Sequence, residues 1–230
     1  MKISFCFVHR SRLTLGNDGE SLPLFKNCLL TLRSCLEALR VDDYEIVVSS
    51  WDNNEDFREL HRYLFQSFQK NKVILIRHLK KNIPQDIIDN NSDAFSRGKG
   101  LNHAADASSG DIIGFLDADM LFVRTVVIEE AIKNIIKNIA YFPICYSLRK
   151  DGSGFWRPTG LGNCFVSKKM FKESRWEELW EWGGEDNNFY DNIQKAGYNV
   201  CREKCPGWYH QWHPREVVGW HKEAMINEHK

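Results

Sequence analysis

The chain has 230 residues, 43% hydrophobic and 27% charged, an ordinary globular composition with length enough for a full core. Its 31 Lys and Arg balance 31 Asp and Glu, and a formal net charge of zero argues against a nucleic-acid binder, which normally carries a basic excess. No run of about 18 apolar residues predicts a transmembrane helix, and no charged-then-apolar leader is read at the start.

Seven cysteines are scattered without a C-x-x-C pair, and Cys6, Cys28 and Cys35 fall within apolar patterns. That usage predicts reduced, mostly buried thiols and a cytoplasmic protein, with any membrane association made through a partner.

In chain order, residues 3–8 predict a first buried strand, closed by His9-Arg10-Ser11-Arg12 and a Gly/Asn/Asp-rich loop to Ser21. Phe25, Leu29, Leu32, Leu36 and Leu39 recur at helical spacing, so a helix is expected from Pro23 to about Arg40. A second strand over 44–48 ends in Ser49-Ser50-Trp51-Asp52-Asn53-Asn54. Phe57, Leu60, Leu64 and Phe68 mark a second helix, and 73–76 a third strand. This β-α-β-α-β alternation implies parallel strands with right-handed crossovers. No G-x-G-x-x-G follows the first strand, so a dinucleotide cofactor is not expected.

After a polar loop over 80–93 comes Phe95-Ser96-Arg97-Gly98-Lys99-Gly100-Leu101-Asn102, opening a short helix. Arg97 and Lys99 then stand at a helix start, where free N–H groups and cations together suit a phosphate. Taken alone, they would be solvated surface cations.

Residues 112–116 are apolar and begin β-branched, as in a buried parallel strand, and Asp117-Ala118-Asp119 follows at once. Unpaired buried carboxylates are costly, so both belong where the strand leaves the core. That carboxyl edge is where open α/β sheets bind ligands. Spaced i, i+2, the two side chains can point to one place. The simplest shared partner is a divalent cation with phosphate oxygens beyond it. A bare Asp-x-Asp is otherwise only an acidic turn.

The second half mixes elements. A helix is expected over 126–136, a strand over 140–148, a polar loop over 149–159 and a short strand over 164–166. Phe189, Ile193 and Ala196 are helix-spaced, with Gly197 as a natural stop. Glu185 and Asp186 therefore occupy the first turn of that helix, behind Gly183-Gly184. Acidic residues favour helix starts for electrostatic reasons alone; the functional reading is a general base. A last strand is expected over 198–202, followed by Gly207-Trp208-Tyr209-His210-Gln211-Trp212-His213-Pro214. Of eight Trp, Trp176, Trp180, Trp182, Trp208 and Trp212 gather here, as core or as platforms for sugar rings.

Four runs in this order carry a family resemblance: Phe95-Ser96-Arg97-Gly98-Lys99 with Leu101-Asn102, Phe115-Leu116-Asp117-Ala118-Asp119, Trp182-Gly183-Gly184-Glu185-Asp186, and Tyr209-His210-Gln211. The chain resembles a GT-A-fold glycosyltransferase of the family 2 type, with a C-terminal part similar to galactosyltransferase and chondroitin-polymerase catalytic domains. The resemblance implies an α/β, Rossmann-like GT-A fold with a mixed, mainly parallel central sheet flanked by helices. It implies one catalytic domain over 1–230, with a nucleotide-binding half to about 120 and an acceptor-binding half beyond. The implied reaction is inverting transfer from a nucleotide-sugar donor, UDP favoured, to a saccharide or glycoconjugate hydroxyl.

By the same resemblance, Asp119 binds Mn²⁺ or Mg²⁺ on the donor diphosphate, and Asp117 contacts the ribose or metal-bound water. His210 is the C-terminal metal ligand, with His213 its competitor. Arg97 binds the nucleotide or diphosphate, and His9, Arg10 and Lys99 are placed with it. Asp186 is the general base, assisted by Glu185. Trp182, with Trp180, Gly183 and Gly184, lines the sugar pocket. The family's Asp-Asp-Gly-Ser after the second strand is replaced by Ser49-Ser50-Trp51-Asp52, leaving Asp52 to contact the base from a shifted position. A sugar nucleotidyltransferase would need a Gly-rich phosphate loop after the first strand, which His9-Arg10-Ser11-Arg12 is not. An inactive binding module of the same fold would have lost the base or the metal carboxylates. A metal-dependent hydrolase would carry a denser His/Asp cluster.

Overall fold

The computed structural model describes residues 1–10, 23–52, 54–69, 72–90, 95–180 and 183–213. Ser11, Arg12, Asn53, Trp182 and Pro214 lie outside these.

The first half alternates as the periodicity predicts. Strand β1 (Ile3–His9) is followed by α1 (Leu24–Leu39), β2 (Tyr44–Ser50), α2 (Asn54–Ser67) and β3 (Val73–Arg77). Helix α1 buries Phe25, Cys28, Leu29, Leu32, Cys35 and Leu36, one stripe at i, i+3, i+4 spacing, and ends at Arg40 with φ 55°. The expected loop over 80–93 holds short structure instead: a 3₁₀ turn (Lys80–Asn82) and helix α3 (Gln85–Asn90). Pro84 just ahead of Gln85 is the helix-start signal there. Helix α4 (Arg97–Ala107) is capped by Ser96, whose Oγ accepts from Lys99 N, and leads into β4 (Ile112–Leu116) and β5 (Met120–Phe122).

The second half departs from expectation in four places. Helix α5 (Val126–Ile136) falls where predicted, but the expected strand over 140–148 is two: β6 (Ile139–Tyr141) and β7 (Ile144–Leu148), in different sheets. Pro143, which cannot donate to a ladder, stands at the break. The polar loop over 149–159 contains β8 (Gly154–Trp156). After β9 (Cys164–Ser167), helix α6 (Lys168–Ser174) was not foreseen. Following α7 (Glu185–Lys195), the strand expected over 198–202 is β10 (Asn199–Cys201), and it is not the last. β11 (Lys204–His210) lies beyond it, its pattern hidden by Pro206 and by Gly207 at φ 90°.

The main sheet has the order β10-β6-β9-β4-β1-β2-β3, and a smaller one the order β5-β11-β7-β8. Among the described strands of the main sheet only β9 runs antiparallel, pairing with β4 and β6. β1 lies between β2 and β4, parallel to both, so the carboxyl ends of these three strands meet. The small sheet stands past that edge. Gln211 N donates to Asp119 O at 2.8 Å, tying the end of β11 to the turn after β4.

Beneath this edge Trp176 stacks on Phe189 at 4.1 Å, and Phe115 meets both edge-on. All three rings are buried. Since Phe115 is two residues before Asp117 and Phe189 one turn into α7, this cluster sets the start of α7 beside the end of β4. Each buried ring contributes about 2–3 kcal/mol. Among the described residues, all seven cysteines are free thiols and no helix is long and apolar enough to cross a membrane.

Candidate active site

Asp119 sits in the turn between β4 and β5. Its Oδ2 lies 3.1 Å from His213 Nε2 and 3.3 Å from His210 Nε2. Its Oδ1 is buried and, among the described residues, accepts no hydrogen bond. Burial opposes the charge of this carboxylate, yet the two imidazoles outweigh it and hold Asp119 well below the ordinary carboxyl range. His210 is oriented through Nδ1, 3.3 Å from Ser147 Oγ on β7. Gln211, between the histidines, donates from Nε2 to Leu24 O and accepts from Asn27 Nδ2. The turn is thus pinned to the first turns of α1. One carboxylate and two imidazoles offer ligand atoms within 4.8 Å of one another. The orphaned Oδ1 is the kind of atom a bound cation satisfies, so these residues fit a divalent metal.

Asp117 lies outside that trio. Its Oδ1 accepts from Arg97 Nη2 at 2.8 Å, and its Oδ2 from Asn163 Nδ2 at 2.7 Å. Asn163 also accepts from Asp117 N through Oδ1. Arg97 in turn donates to Gly162 O at 2.7 Å, lies 3.8 Å from Glu185 Oε1 and covers the Trp176 ring. Burial disfavours its charge, but Asp117 and Glu185 more than compensate and raise its pKa further. A guanidinium expected at the donor phosphates is therefore engaged by the protein's own carboxylates. Asn163 is a site residue that the sequence reading left without a role. An Asn ahead of a short strand carries no signal of it.

On α7, Gly184 is the N-cap at φ 91° and Gly183 has φ 107°, a backbone that only glycine adopts freely. Glu185 is buried and turned back, accepting from Gly183 N at 3.1 Å. Asp186 is half-buried, and its Oδ1 accepts from Asn187 N.

At the ends of β1 and β2, His9 Nδ1 lies 2.8 Å from Asp52 Oδ2, which also accepts from Ser50 Oγ. Asp52 is buried, and His9 leans on Phe25 at 4.8 Å. Arg10 covers Phe95. Lys99 covers Trp180, and Trp180 meets Trp51 edge-on at 5.7 Å. Trp51 stacks on His78 at 4.1 Å, and His78 on His103. The structure thus gathers three groups at one sheet edge: Asp119 with His210 and His213, Asp117 with Arg97 and Glu185, and His9 with Asp52. Lys99 and Trp180 belong to a separate aromatic stack. Of the Trp cluster, Trp176 and Trp208 are core, while Trp180 and Trp212 are partly exposed.

The model of the family described as "Glycosyl transferase family 2" matches residues 24–185. The chain belongs to glycosyl transferase family 2. Within this family 2 chain the matched span holds Arg97, Asp117, Asp119 and Glu185, whereas Asp186, His210 and His213 lie beyond it. The chain is 26% identical over 151 residues to chondroitin sulfate N-acetylgalactosaminyltransferase 2 of Mus musculus, covering 55% of this chain and 28% of that protein. To chondroitin sulfate N-acetylgalactosaminyltransferase 1 of Homo sapiens it is 24% identical over 149 residues, covering 54% and 28%. The matched part therefore spans under a third of these relatives. A crystal structure of S. aureus TarS, residues 1–349, superimposes with a TM-score of 0.63 at 13% identity, over 92% of this chain and 60% of that one. The same TarS fragment in complex with UDP gives 0.62, over 92% and 61%. These likenesses show the GT-A arrangement of a mixed, mostly parallel sheet flanked by helices.

Proposed function

We propose that the chain moves a sugar from a nucleotide-sugar donor, UDP favoured, to a hydroxyl of a saccharide or glycoconjugate, with inversion at the anomeric carbon. The observation that carries the reading is the buried Asp119 Oδ1, without a hydrogen-bond partner among the described residues, beside Oδ2 shared by His210 and His213. A pair of imidazoles favours Mn²⁺ over Mg²⁺, which prefers oxygen ligands throughout. When bound there, the cation would supply Lewis-acid stabilisation of the negative charge leaving with the diphosphate.

The protein's own groups supply the rest. His9 and Asp52, with Arg10, are placed to hold the nucleotide at the ends of β1 and β2. Asp117, fixed by Arg97 and Asn163, presents a rigid carboxylate toward the ribose. Glu185 is tied to Gly183 N and Arg97, so it positions the loop–helix junction. Asp186, next along the first turn of α7, takes the proton of the accepting hydroxyl. We place donor recognition in residues to about 120 and acceptor recognition beyond, within one catalytic unit over 1–230. Support for UDP comes from the fold shared with a TarS fragment described in complex with UDP. Support for a saccharide acceptor comes from the chondroitin-type relatives.

A thermal-shift panel of UDP-, GDP- and dTDP-sugars, each with and without Mn²⁺, tests the reading. A ligand at about 100 times its Kd stabilises by about 2.7 kcal/mol, roughly 5–10 °C for a chain of this size. The expected hit is a UDP-sugar with Mn²⁺. No shift with any nucleotide sugar would overturn it.

A further inference from the structure

The β7–β8 hairpin borders the metal-ligand trio with a row of cations lying on aromatic rings. Phe155 pairs with Ser147 across β7 and β8, and directly paired residues of antiparallel strands share a face. Ser147 Oγ lies 3.3 Å from His210 Nδ1, so Phe155 projects on the side of His210. It is 44% exposed, a large ring left open beside a site that must admit a sugar. Strand β8 is the edge of its sheet. The Arg149 guanidinium lies 5.4 Å over the Phe155 ring. Lys150 Nζ lies 5.6 Å over the ring of Trp212, which sits between Gln211 and His213. Arg157 follows the hairpin, its N–H donating to Cys145 O. The carboxylate in this stretch, Asp151, accepts from Ser153 N and Oγ within the turn and also feels the Arg149 charge, the weakest of the influences on it.

A cation lying on an aromatic ring is common on surfaces and by itself says little. Two features give this row meaning. It stands next to His210 and His213, on the hairpin whose β7 pairs with β11 at His210 and whose Ser147 Oγ meets the His210 ring. Its charge is also surplus to the donor, whose diphosphate would be neutralised by the divalent ion. An aromatic face and a planar guanidinium together suit a sugar ring bearing a carboxylate or sulfate.

We propose that Arg149 and Phe155, flanked by Lys150 and Trp212, form an acceptor subsite for an anionic saccharide. This rests on the glycosyl-transfer reading and narrows it to acceptors that carry a carboxylate or sulfate.

The test is binding of labelled hexasaccharides in the presence of UDP and Mn²⁺. Three probes are compared: a uronate-containing set, its carboxyl-reduced neutral counterpart, and a sulfated chain of neutral sugars. Wild-type protein is expected to bind at least one anionic set tenfold or more tighter than the neutral set, and which one distinguishes carboxylate from sulfate. Arg149→Gln should abolish that preference with UDP affinity unchanged, and Phe155→Ala should weaken anionic and neutral sets alike. Lys169→Gln, at a 74% exposed side chain on α6, should change nothing. Equal affinity for charged and neutral sets overturns the proposal, as does an equal loss in Lys169→Gln, which marks non-specific adsorption. UDP binding with no anionic preference removes the subsite alone. No Mn²⁺-dependent UDP binding removes the glycosyl-transfer reading and the subsite with it.

Discussion

Arg97 Nη2 donates to Asp117 Oδ1 at 2.8 Å, from a guanidinium that also faces Glu185. One cation thus joins the end of β4, where Asp117 and Asp119 follow, to the first turn of α7, which carries the candidate base. Its own side chain is 14% exposed and that of Glu185 8%, while Asp117 is 35% exposed. Removing one partner of a buried pair costs about 3–5 kcal/mol, and the partly solvated Asp117 draws that toward the lower end. Arg97→Gln should therefore lower the urea midpoint clearly, and Arg97→Lys should lie between, keeping charge without the fork. An unchanged midpoint in Arg97→Gln would show that the guanidinium is not a structural tie.

The approach of α4 to the 176–178 segment is testable in the same way. A Cβ at Gly98 would sit 1.8 Å from Glu177 O, a backbone atom that cannot rotate away. Gly98→Ala should cost about 1–3 kcal/mol or more through overpacking. It should also displace Lys99 from Trp180. Wild-type stability in this variant would contradict the packing.

His78 offers a pH test. Burial first, then the neighbouring His103 and Lys99, push its imidazole down to about 4. A base whose folded pKa is depressed favours the unfolded chain once that chain can protonate. Its stabilising effect is complete above about pH 6.5, the ordinary histidine value, and is lost as pH falls toward 4. The loss amounts to about 3 kcal/mol across that window. His78→Gln should flatten the acid limb of the stability–pH curve between about 6.5 and 4. An unaltered slope would mean His78 does not titrate there.

Much of this was legible beforehand because local pattern and tertiary role agreed. Phe25 to Leu36 could only be an amphipathic helix, and 112–116 only a buried strand, so Asp117 and Asp119 had to fall at the sheet edge. Gly184 and Gly197 marked both ends of α7. What was not legible depended on contacts distant in sequence. Asn163 reaches Asp117 across 46 residues, and nothing local distinguishes it from any loop Asn. Arg97 reads as a phosphate ligand because helix starts attract anions; its pairing with Asp117 and Glu185, 20 and 88 positions away, carries no local signal. His210 and His213, posed as alternatives by the sequence, both lie against one oxygen of Asp119. β11 was hidden because Pro206 and Gly207 break its alternation.

The proton-transfer role separates from donor binding. Asp186→Asn preserves shape and removes the base, so transfer should fall roughly 10²–10⁴-fold. Nucleotide affinity should hardly change, since Asp186 is absent from the Asp119 trio. Near-wild-type transfer would pass the role to Glu185, and lost nucleotide affinity would make Asp186 a support of the donor site.

The central claim is that Asp119, His210 and His213 act as one metal site for the donor. Calorimetric titration of UDP into protein with Mn²⁺ or with chelator, for wild type, Asp119→Ala, His210→Ala and His213→Ala, tests it most directly. The account predicts Mn²⁺-dependent binding in wild type that is lost in Asp119→Ala and weakened at least tenfold in each histidine variant. Equal UDP affinity with Mn²⁺ and with chelator, or full Mn²⁺-dependent affinity in Asp119→Ala, would contradict it.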